Sequence, residues 1–284
     1  MIRVVEVGPR DGLQSEPATI PTDVKVAYID ALSIAGLPEI EAGAFVSPRW
    51  VPQLADAEEV FRRIRREPGV VYSALVPNER GLERALAANV DKISVFTAAS
   101  ETFNRKNINA SIDESILRFA PVIAGARGLK LPVRGYVSTA FWCPYEGRVA
   151  PEKAVEVCRR LIDAGADEIS VGDTIGKAVQ EEVNVLLEAL LGSIPAARIA
   201  MHFHDTYGHA AENVVASWKL GIRIFDSSAG GIGGCPFAPG ASGNIATERL
   251  VEALRAAGAQ ISVDLQALAS TRRVIAPALG RPVS

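Results

Sequence analysis

Eight short runs rich in β-branched residues, each followed by a stretch with helical spacing, constrain the fold of this chain more than any other feature. The runs are RVVEVG (3–8), EIEAG (39–43), VVYSALV (70–76), DKISVF (91–96), PVRGYVS (132–138), DEISVG (167–172), RIAMHFH (198–204) and RIFDSS (223–228). Between them, TDVKVAYIDALSIAG after Pro21, PEKAVEVCRRLIDAG from Pro151 and GHAAENVVASWKLG repeat apolar residues at intervals of three and four, the spacing of one helix face. The joins SIAGLPEIEAG, IDAGADEISVG and AANVDKISVF each end a helix on small residues, where a Gly or Asn can take the left-handed conformation that closes the last turn. No such strand–helix unit can bury its apolar face alone. Eight parallel strands with eight helices close into a barrel, so the expected fold is α/β, a (β/α)8 TIM barrel. An open doubly wound sheet would carry G-x-G-x-x-G after its first strand. Here that strand runs into GPRDG, and no G-x-x-x-x-G-K-[ST] occurs anywhere. From about residue 262, SVDLQALASTRRVIAPALG reads as one additional C-terminal helix, and residues 1–284 are read as a single catalytic domain.

Composition excludes several classes of partner. Hydrophobic residues make up 48% of the chain and charged ones 22%, enough to bury a large core. A net charge of -3 offers no concentrated basic face for nucleic acid or an anionic membrane, and no stretch approaches roughly 18 uninterrupted apolar residues. Cys143, Cys158 and Cys235 are widely separated without C-x-x-C spacing, so neither a disulfide framework nor a zinc knuckle is expected. The opening MIRVVEVGPRDG turns apolar at once, without the layout of a secretory signal. The expectation is a cytoplasmic protein with no nucleic-acid or membrane partner.

The segment MHFHDTYGHA (201–210) holds all three histidines. Side chains two apart in a strand point to one side, so His202 and His204 project together while Phe203 faces the other layer. They stand at the carboxyl end of the seventh strand, where barrel enzymes gather catalytic groups, and a close buried pair of imidazoles favours a metal over two core histidines. His209 falls where the next helix starts and reads as a surface or capping residue. Asp205 reads as an orienter of an imidazole or a helix cap, with direct ligation as the weaker alternative. A metal with two imidazoles also needs oxygen ligands. Asp11 beyond the first strand and Asn244 after the eighth are the candidates, because strands seven, eight and one become neighbours when the barrel closes. Arg10, next to Asp11, suits a developing oxyanion. Glu41 and Asp173 end their strands as carboxylates on the same rim. Cys235 lies in a loop containing Gly230, Gly231, Gly233, Gly234, Gly240 and Gly243, which suggests a closing lid with a proton donor.

VGPRDGLQ (7–14), FVSPRWVPQLADA (45–57), KNIN (106–109), CPYEG (143–147), GDTIG (172–176), HFHDTYG (202–208) and GGCPFAPGASGNIATE (233–248) resemble the 3-hydroxy-3-methylglutaryl-CoA lyase family over nearly the whole chain. The resemblance implies Mg2+ or Mn2+ bound by Asp11, His202, His204 and Asn244, Arg10 stabilising an enolate, Glu41 supporting acid–base chemistry, and Cys235 in a flexible lid. It also implies metal-dependent retro-Claisen cleavage of an acyl-CoA to acetoacetate and acetyl-CoA, and a homodimer. Arg10, Gln14 and Asp173, with Arg49, Arg105 and Lys106 for the CoA phosphates, are the expected substrate-binding residues. Two departures bear on the acyl group. Gly43 and Ala44 stand where many members read Thr-Ser, and Trp142 stands where a glycine is usual, so a related 3-hydroxy-3-alkylglutaryl-CoA or another branched 3-hydroxyacyl-CoA is an alternative substrate. A Claisen-condensing synthase of the same superfamily is the more distant alternative, since such enzymes carry a long C-terminal extension.

Overall fold

The computed structural model describes residues 2–235, 238–281 and 283, and for 234, 235 and 238–242 the backbone alone. The eight runs form eight strands: β1 (Arg3–Glu6), β2 (Glu39–Ala44), β3 (Val71–Leu75), β4 (Lys92–Ala98), β5 (Val133–Ser138), β6 (Glu168–Asp173), β7 (Ile199–Phe203) and β8 (Ile224–Ser227). They pair in parallel in the order β1-β8-β7-β6-β5-β4-β3-β2, and β2 pairs back onto β1 to close the barrel. The expected strands seven, eight and one are therefore adjacent, with Asp226 opposite His202 in the β8–β7 register.

Ten helices pack around the strands among the described residues: α1 (Thr22–Ser33), α2 (Ala57–Arg63), α3 (Glu79–Ala87), α4 (Glu101–Ile108), α5 (Ile112–Gly128), α6 (Pro151–Asp163), α7 (Gln180–Leu191), α8 (Ala210–Lys219), α9 (Thr247–Ala256) and α10 (Leu265–Leu279). Short polar side chains start several of them. Asn78 accepts from Gly81 N at 2.8 Å before α3, Ser111 and Glu114 form a reciprocal box before α5, and Asp264 accepts from Gln266 N at 2.8 Å before α10. α10 is the additional C-terminal helix, seated on α1 by the buried Leu268, Thr271 and Ile275. Two helices, α4 and α5, fill the β4–β5 connection where one was expected, because Asn109 takes a left-handed conformation (φ 50°) and Ser111 restarts the helix two residues later. None of the described helices is long and apolar enough to cross a membrane.

The apolar core lies between barrel and helices, where Ile40, Ile93, Val133, Ile169, Met201, Phe203 and Phe225 meet helix residues such as Ile29, Ile123, Leu161 and Leu250. The lumen is built differently. Its lower part holds ions: Lys92 Nζ stands 3.0 Å from Glu39 Oε1 and 2.9 Å from Glu168 Oε1, and Arg134 Nε stands 3.0 Å from Glu168 Oε1. Arg3 closes this layer from below against Glu168 and Glu39. Burial pushes the Lys92 ammonium down to about 8, against the pull of Glu39.

Candidate active site

The site sits on the carboxyl ends of β1, β2, β5, β7 and β8. After β1 the chain cannot continue as a strand, since Pro9 lacks an N–H, and Gly8–Gly12 coils into one π-helical turn. Arg10 N, Asp11 N and Gly12 N all donate to the Val7 carbonyl in this turn, so the two side chains of the Arg-Asp pair start from a fixed backbone. Gly8 has no room for a side chain: a Cβ there would stand 2.6 Å from Glu6 Oε1, 2.8 Å from Tyr28 Oη and 2.9 Å from Ser228 Oγ. Gly233 (φ 110°) lets the glycine-rich segment pass between Gly12 Cα and Asn244 Nδ2, each 3.1 Å from where a Cβ would be.

Asp11, His202 and His204 each present a ligand atom, and these atoms lie within 4.8 Å of one another. The imidazole centroids are 5.3 Å apart, while Phe203 packs outward against Phe141. Asn244 joins them by donating from Nδ2 to Asp11 Oδ2 at 2.9 Å, and a backbone bridge ties it to His204. His204 Nδ1 and Asn244 Oδ1 are buried without a hydrogen-bond partner among the described residues. An unsatisfied buried polar atom costs about 1–3 kcal/mol, so two of them beside a carboxylate fit a cation better than a bare cluster. The electrostatics agree. Burial and the neighbouring His202 push the His204 imidazole down to about 4, which leaves it neutral with a lone pair at physiological pH. Burial pushes Asp11 up, yet Arg10 and the two imidazoles outweigh it and hold the carboxyl at about 2. The donor set of two nitrogens and two oxygens suits a divalent cation.

Opposite this group lies a chain of charge-assisted hydrogen bonds. Arg10 Nε donates to Glu41 Oε2 at 2.6 Å and Nη1 to Asp11 Oδ1 at 2.7 Å, and Nη2 has no partner among the described residues. Glu41, 1% exposed, also accepts from Ser94 Oγ at 2.6 Å and Tyr136 Oη at 3.1 Å. His202 is held from behind, with Nδ1 3.2 Å from Asp226 Oδ2, which selects the tautomer with its lone pair on Nε2. Against the cost of burial, Arg134, His202 and Ser170 hold Asp226 well below the usual carboxylate range.

The other sequence candidates make different contacts. Asp173 is buried with Oδ2 accepting from Ala178 N at 2.9 Å and Oδ1 from Lys177 N at 3.2 Å, so it shapes its own loop, and burial pushes it up to about 7. Gln14 is half-buried just past the π-helical turn. Arg49 is exposed after β2; Arg105 is exposed on α4 and pairs loosely with Glu101. Lys106 lies over the Tyr145 ring at 4.8 Å. The Cys235 side chain lies outside the described residues; its backbone pairs with Ala238 in a short antiparallel ribbon. His209 stands at the start of α8 without a side-chain cap bond, and Asp205 accepts from Ala210 N and pairs with Arg249 at 2.8 Å. Trp142 faces α7, donating from Nε1 to Glu182 at 3.0 Å with Lys177 Nζ 3.9 Å from its ring centroid.

Asp226, Arg134, Tyr136, Ser94 and Ser170 were missed as site residues. Each lies inside one of the quoted runs, and Arg134 and Tyr136 share a face because they are two apart. The available signal was a polar residue in mid-strand, which in a closed barrel has only the lumen to occupy.

The chain is similar to known proteins over nearly its whole length. The profile of the HMGL-like family matches residues 1–275. The rat (Rattus norvegicus) mitochondrial hydroxymethylglutaryl-CoA lyase is 50% identical over 283 residues, covering 100% of this chain and 87% of the relative. The hydroxymethylglutaryl-CoA lyase structure from Pseudomonas aeruginosa superposes with a TM-score of 0.96 at 48% identity, over 99% of this chain and 94% of that one. An HMG-CoA lyase structure from Acinetobacter baumannii, in complex with coenzyme A and 3-methylmalate, gives 0.94 at 39% identity, over 100% of this chain and 92% of that one. With the family match spanning nearly the whole chain and relatives at half identity, the chain belongs to the HMGL-like family.

Proposed function

We propose that the whole chain is one catalytic domain, a metal-dependent carbon–carbon lyase that cleaves 3-hydroxy-3-methylglutaryl-CoA to acetoacetate and acetyl-CoA. The observation that carries this reading is the convergence of the Asp11, His202 and His204 ligand atoms next to the Arg10–Glu41 pair, in a chain half identical to a lyase of that name. A divalent cation held by Asp11, His202, His204 and Asn244 would supply positive charge to the oxygens of the bound acyl group.

The protein's own groups complete the chemistry. Cleavage requires loss of the tertiary hydroxyl proton, rupture of the adjacent carbon–carbon bond and protonation of the acetyl-CoA enolate. Arg10, buried and immobilised by Glu41 and Asp11, would direct Nη2 to the enolate oxygen as it gains charge. Glu41 is fixed by three donors and orients Arg10 rather than moving freely. We assign Cys235 the role of enolate acid, and Gln14, Asp173, Arg49, Arg105 and Lys106 the support of the acyl-CoA. A homodimer and a cytoplasmic location complete the reading. Light scattering and cell fractionation test them, and the rat relative is named for the mitochondrion.

A substrate with a longer 3-alkyl group is the second reading, and one observation bears on it. A register shift between Glu41 and Gly43 turns Ala44 into an apolar group with Leu54, Leu75 and Tyr136, whereas Gly43 faces Ala57 and Phe61 on α2. The deciding experiment incubates purified protein, with and without chelator, with HMG-CoA and its longer 3-alkyl homologues, and identifies the products. Chelator-sensitive formation of acetoacetate is expected. No cleavage of any of these thioesters with Mg2+ or Mn2+ present overturns the reading, and so does net condensation of acetyl-CoA with 2-oxo acids.

A further inference from the structure

Arg134, the second residue of β5, is 1% exposed, and its contacts reach both sides of the site. On one side, Nη2 stands 2.7 Å from Asp226 Oδ1, and Asp226 in turn holds His202 Nδ1 through Oδ2. On the other, Nη1 donates to Tyr136 Oη at 3.3 Å, and that hydroxyl donates to Glu41 at 3.1 Å, which holds Arg10 Nε at 2.6 Å. The Tyr136 ring is the spacer: the Arg10 and Arg134 guanidiniums lie over it at 5.1 and 5.2 Å from its centroid. The remaining nitrogen, Nε, faces Glu168 at 3.0 Å and anchors the guanidinium to the ion layer below. The Tyr136 contact is a hydrogen bond, while the Asp226 and Glu168 contacts are ion pairs outside hydrogen-bond geometry; a planar guanidinium spans all three partners at once, which a compact ammonium of the same charge cannot.

We propose that Arg134 is a positioning residue that sets His202 and Arg10 in register with each other, one nitrogen bracing Asp226–His202 and another bracing Tyr136–Glu41–Arg10. This rests on the reading of His202 as a metal-holding residue. It gives this guanidinium a task distinct from neutralising Glu168 and Asp226, which a lysine would also perform. Removing either branch has a separate signature. The Asp226 branch acts on metal affinity, because the partner behind a ligating imidazole fixes its tautomer and ring orientation, an effect of about ten- to a hundred-fold. The Tyr136 branch acts on turnover through Arg10, and among the described residues it meets the metal-holding groups only through the Arg10–Asp11 contact and the ring edge against His202, which Tyr136→Phe keeps.

The test measures Mn2+ affinity by electron paramagnetic resonance of the free ion, together with kcat and KM for HMG-CoA, in the wild type, Arg134→Lys, Asp226→Asn and Tyr136→Phe. Asp226→Asn should weaken Mn2+ binding about ten-fold or more. Tyr136→Phe should bind Mn2+ within about two-fold of wild type yet lose kcat with little change in KM, the pattern of an interaction made in the transition state. Arg134→Lys should show both defects, and adding it to Asp226→Asn should weaken Mn2+ binding no further, since both break one branch. Normal Mn2+ binding and normal kcat in folded Arg134→Lys overturn the proposal. So does strict additivity with Asp226→Asn. Should Arg134→Lys not fold, equal effects of Asp226→Asn and Tyr136→Phe on Mn2+ binding overturn it, and the predicted split supports it. A wild-type chain that holds no Mn2+ instead removes the metal reading, and the inference with it.

Discussion

Replacing Arg10 by methionine tests the charge arrangement most directly. The substitution keeps much of the buried aliphatic stem and removes the guanidinium. Glu41 then retains Ser94 Oγ and Tyr136 Oη but no ion-paired partner among the described residues, only the more distant charge of Arg134, at 1% exposure. Leaving one member of a buried pair uncompensated costs about 3–5 kcal/mol of stability. The Asp11 contact adds less, because that side chain is 26% exposed and water screens it. For catalysis, removing one charged donor from a developing oxyanion lowers kcat by about 10²- to 10³-fold, or about 3–4 kcal/mol of barrier. The two effects separate in the assay. Urea unfolding reads the first, and steady-state cleavage of HMG-CoA at saturating Mg2+ reads the second. Arg10→Lys should recover most of the stability but little of the turnover, since an ammonium cannot hold Glu41 and Asp11 and still face the substrate. A kcat for folded Arg10→Met within about three-fold of wild type would refute the enolate role, and a rise in KM at constant kcat would move Arg10 to ground-state binding.

Other expectations follow from the same geometry. Exhaustive chelation should abolish cleavage, and Mn2+ at about a hundred times its Kd should stabilise the chelated protein by about 3 kcal/mol in thermal unfolding, an effect that Asn244→Ala should largely remove. Glu6 is buried and pushed up to about 7 by desolvation, so the folded state binds its proton more tightly than the unfolded chain. Its contribution to stability is complete below about pH 4.5 and is lost as the pH rises through 7. Glu6→Gln should therefore gain about 3 kcal/mol relative to wild type between pH 4.5 and 8, and parallel urea midpoints across that range would contradict the assignment. Gly176 takes φ +68°, and a Cβ there would stand 2.8 Å from the His204 carbonyl oxygen and 2.9 Å from Thr206 N. Gly176→Ala should cost roughly 1–3 kcal/mol and weaken Mn2+ binding by displacing His204, read by calorimetry and by titration with the ion.

The barrel was legible because its signal is repetitive: eight β-branched runs and the small-residue joins between them each state the same unit. The convergence of Asp11, His202, His204 and Asn244 was also accessible, since barrel closure makes strands seven, eight and one neighbours. What escaped was the layer behind those residues. Arg134 and Asp226 look like ordinary interruptions of an apolar run, and their meaning depends on register between strands distant in sequence. Asp173 stands at a strand end, where a ligand-facing carboxylate would also stand, and its oxygens accept from Lys177 and Ala178. A tight turn and a rim site use the same residue types. The inward turn of Ala44 and outward turn of Gly43 depend on a bulge that no pattern in EIEAGA announces.

The ionic plug of the lower barrel also bears on how this sequence can change over evolutionary time. In a barrel filled with aliphatic side chains, one leucine can become valine and a neighbour can adjust later. Lys92, Glu39, Glu168, Arg3 and Arg134 allow no such stepwise drift, because altering one member strands another's charge away from water. Viable replacements must arrive as compensated sets, so descendants of this chain should either retain the group intact or exchange several of its members together.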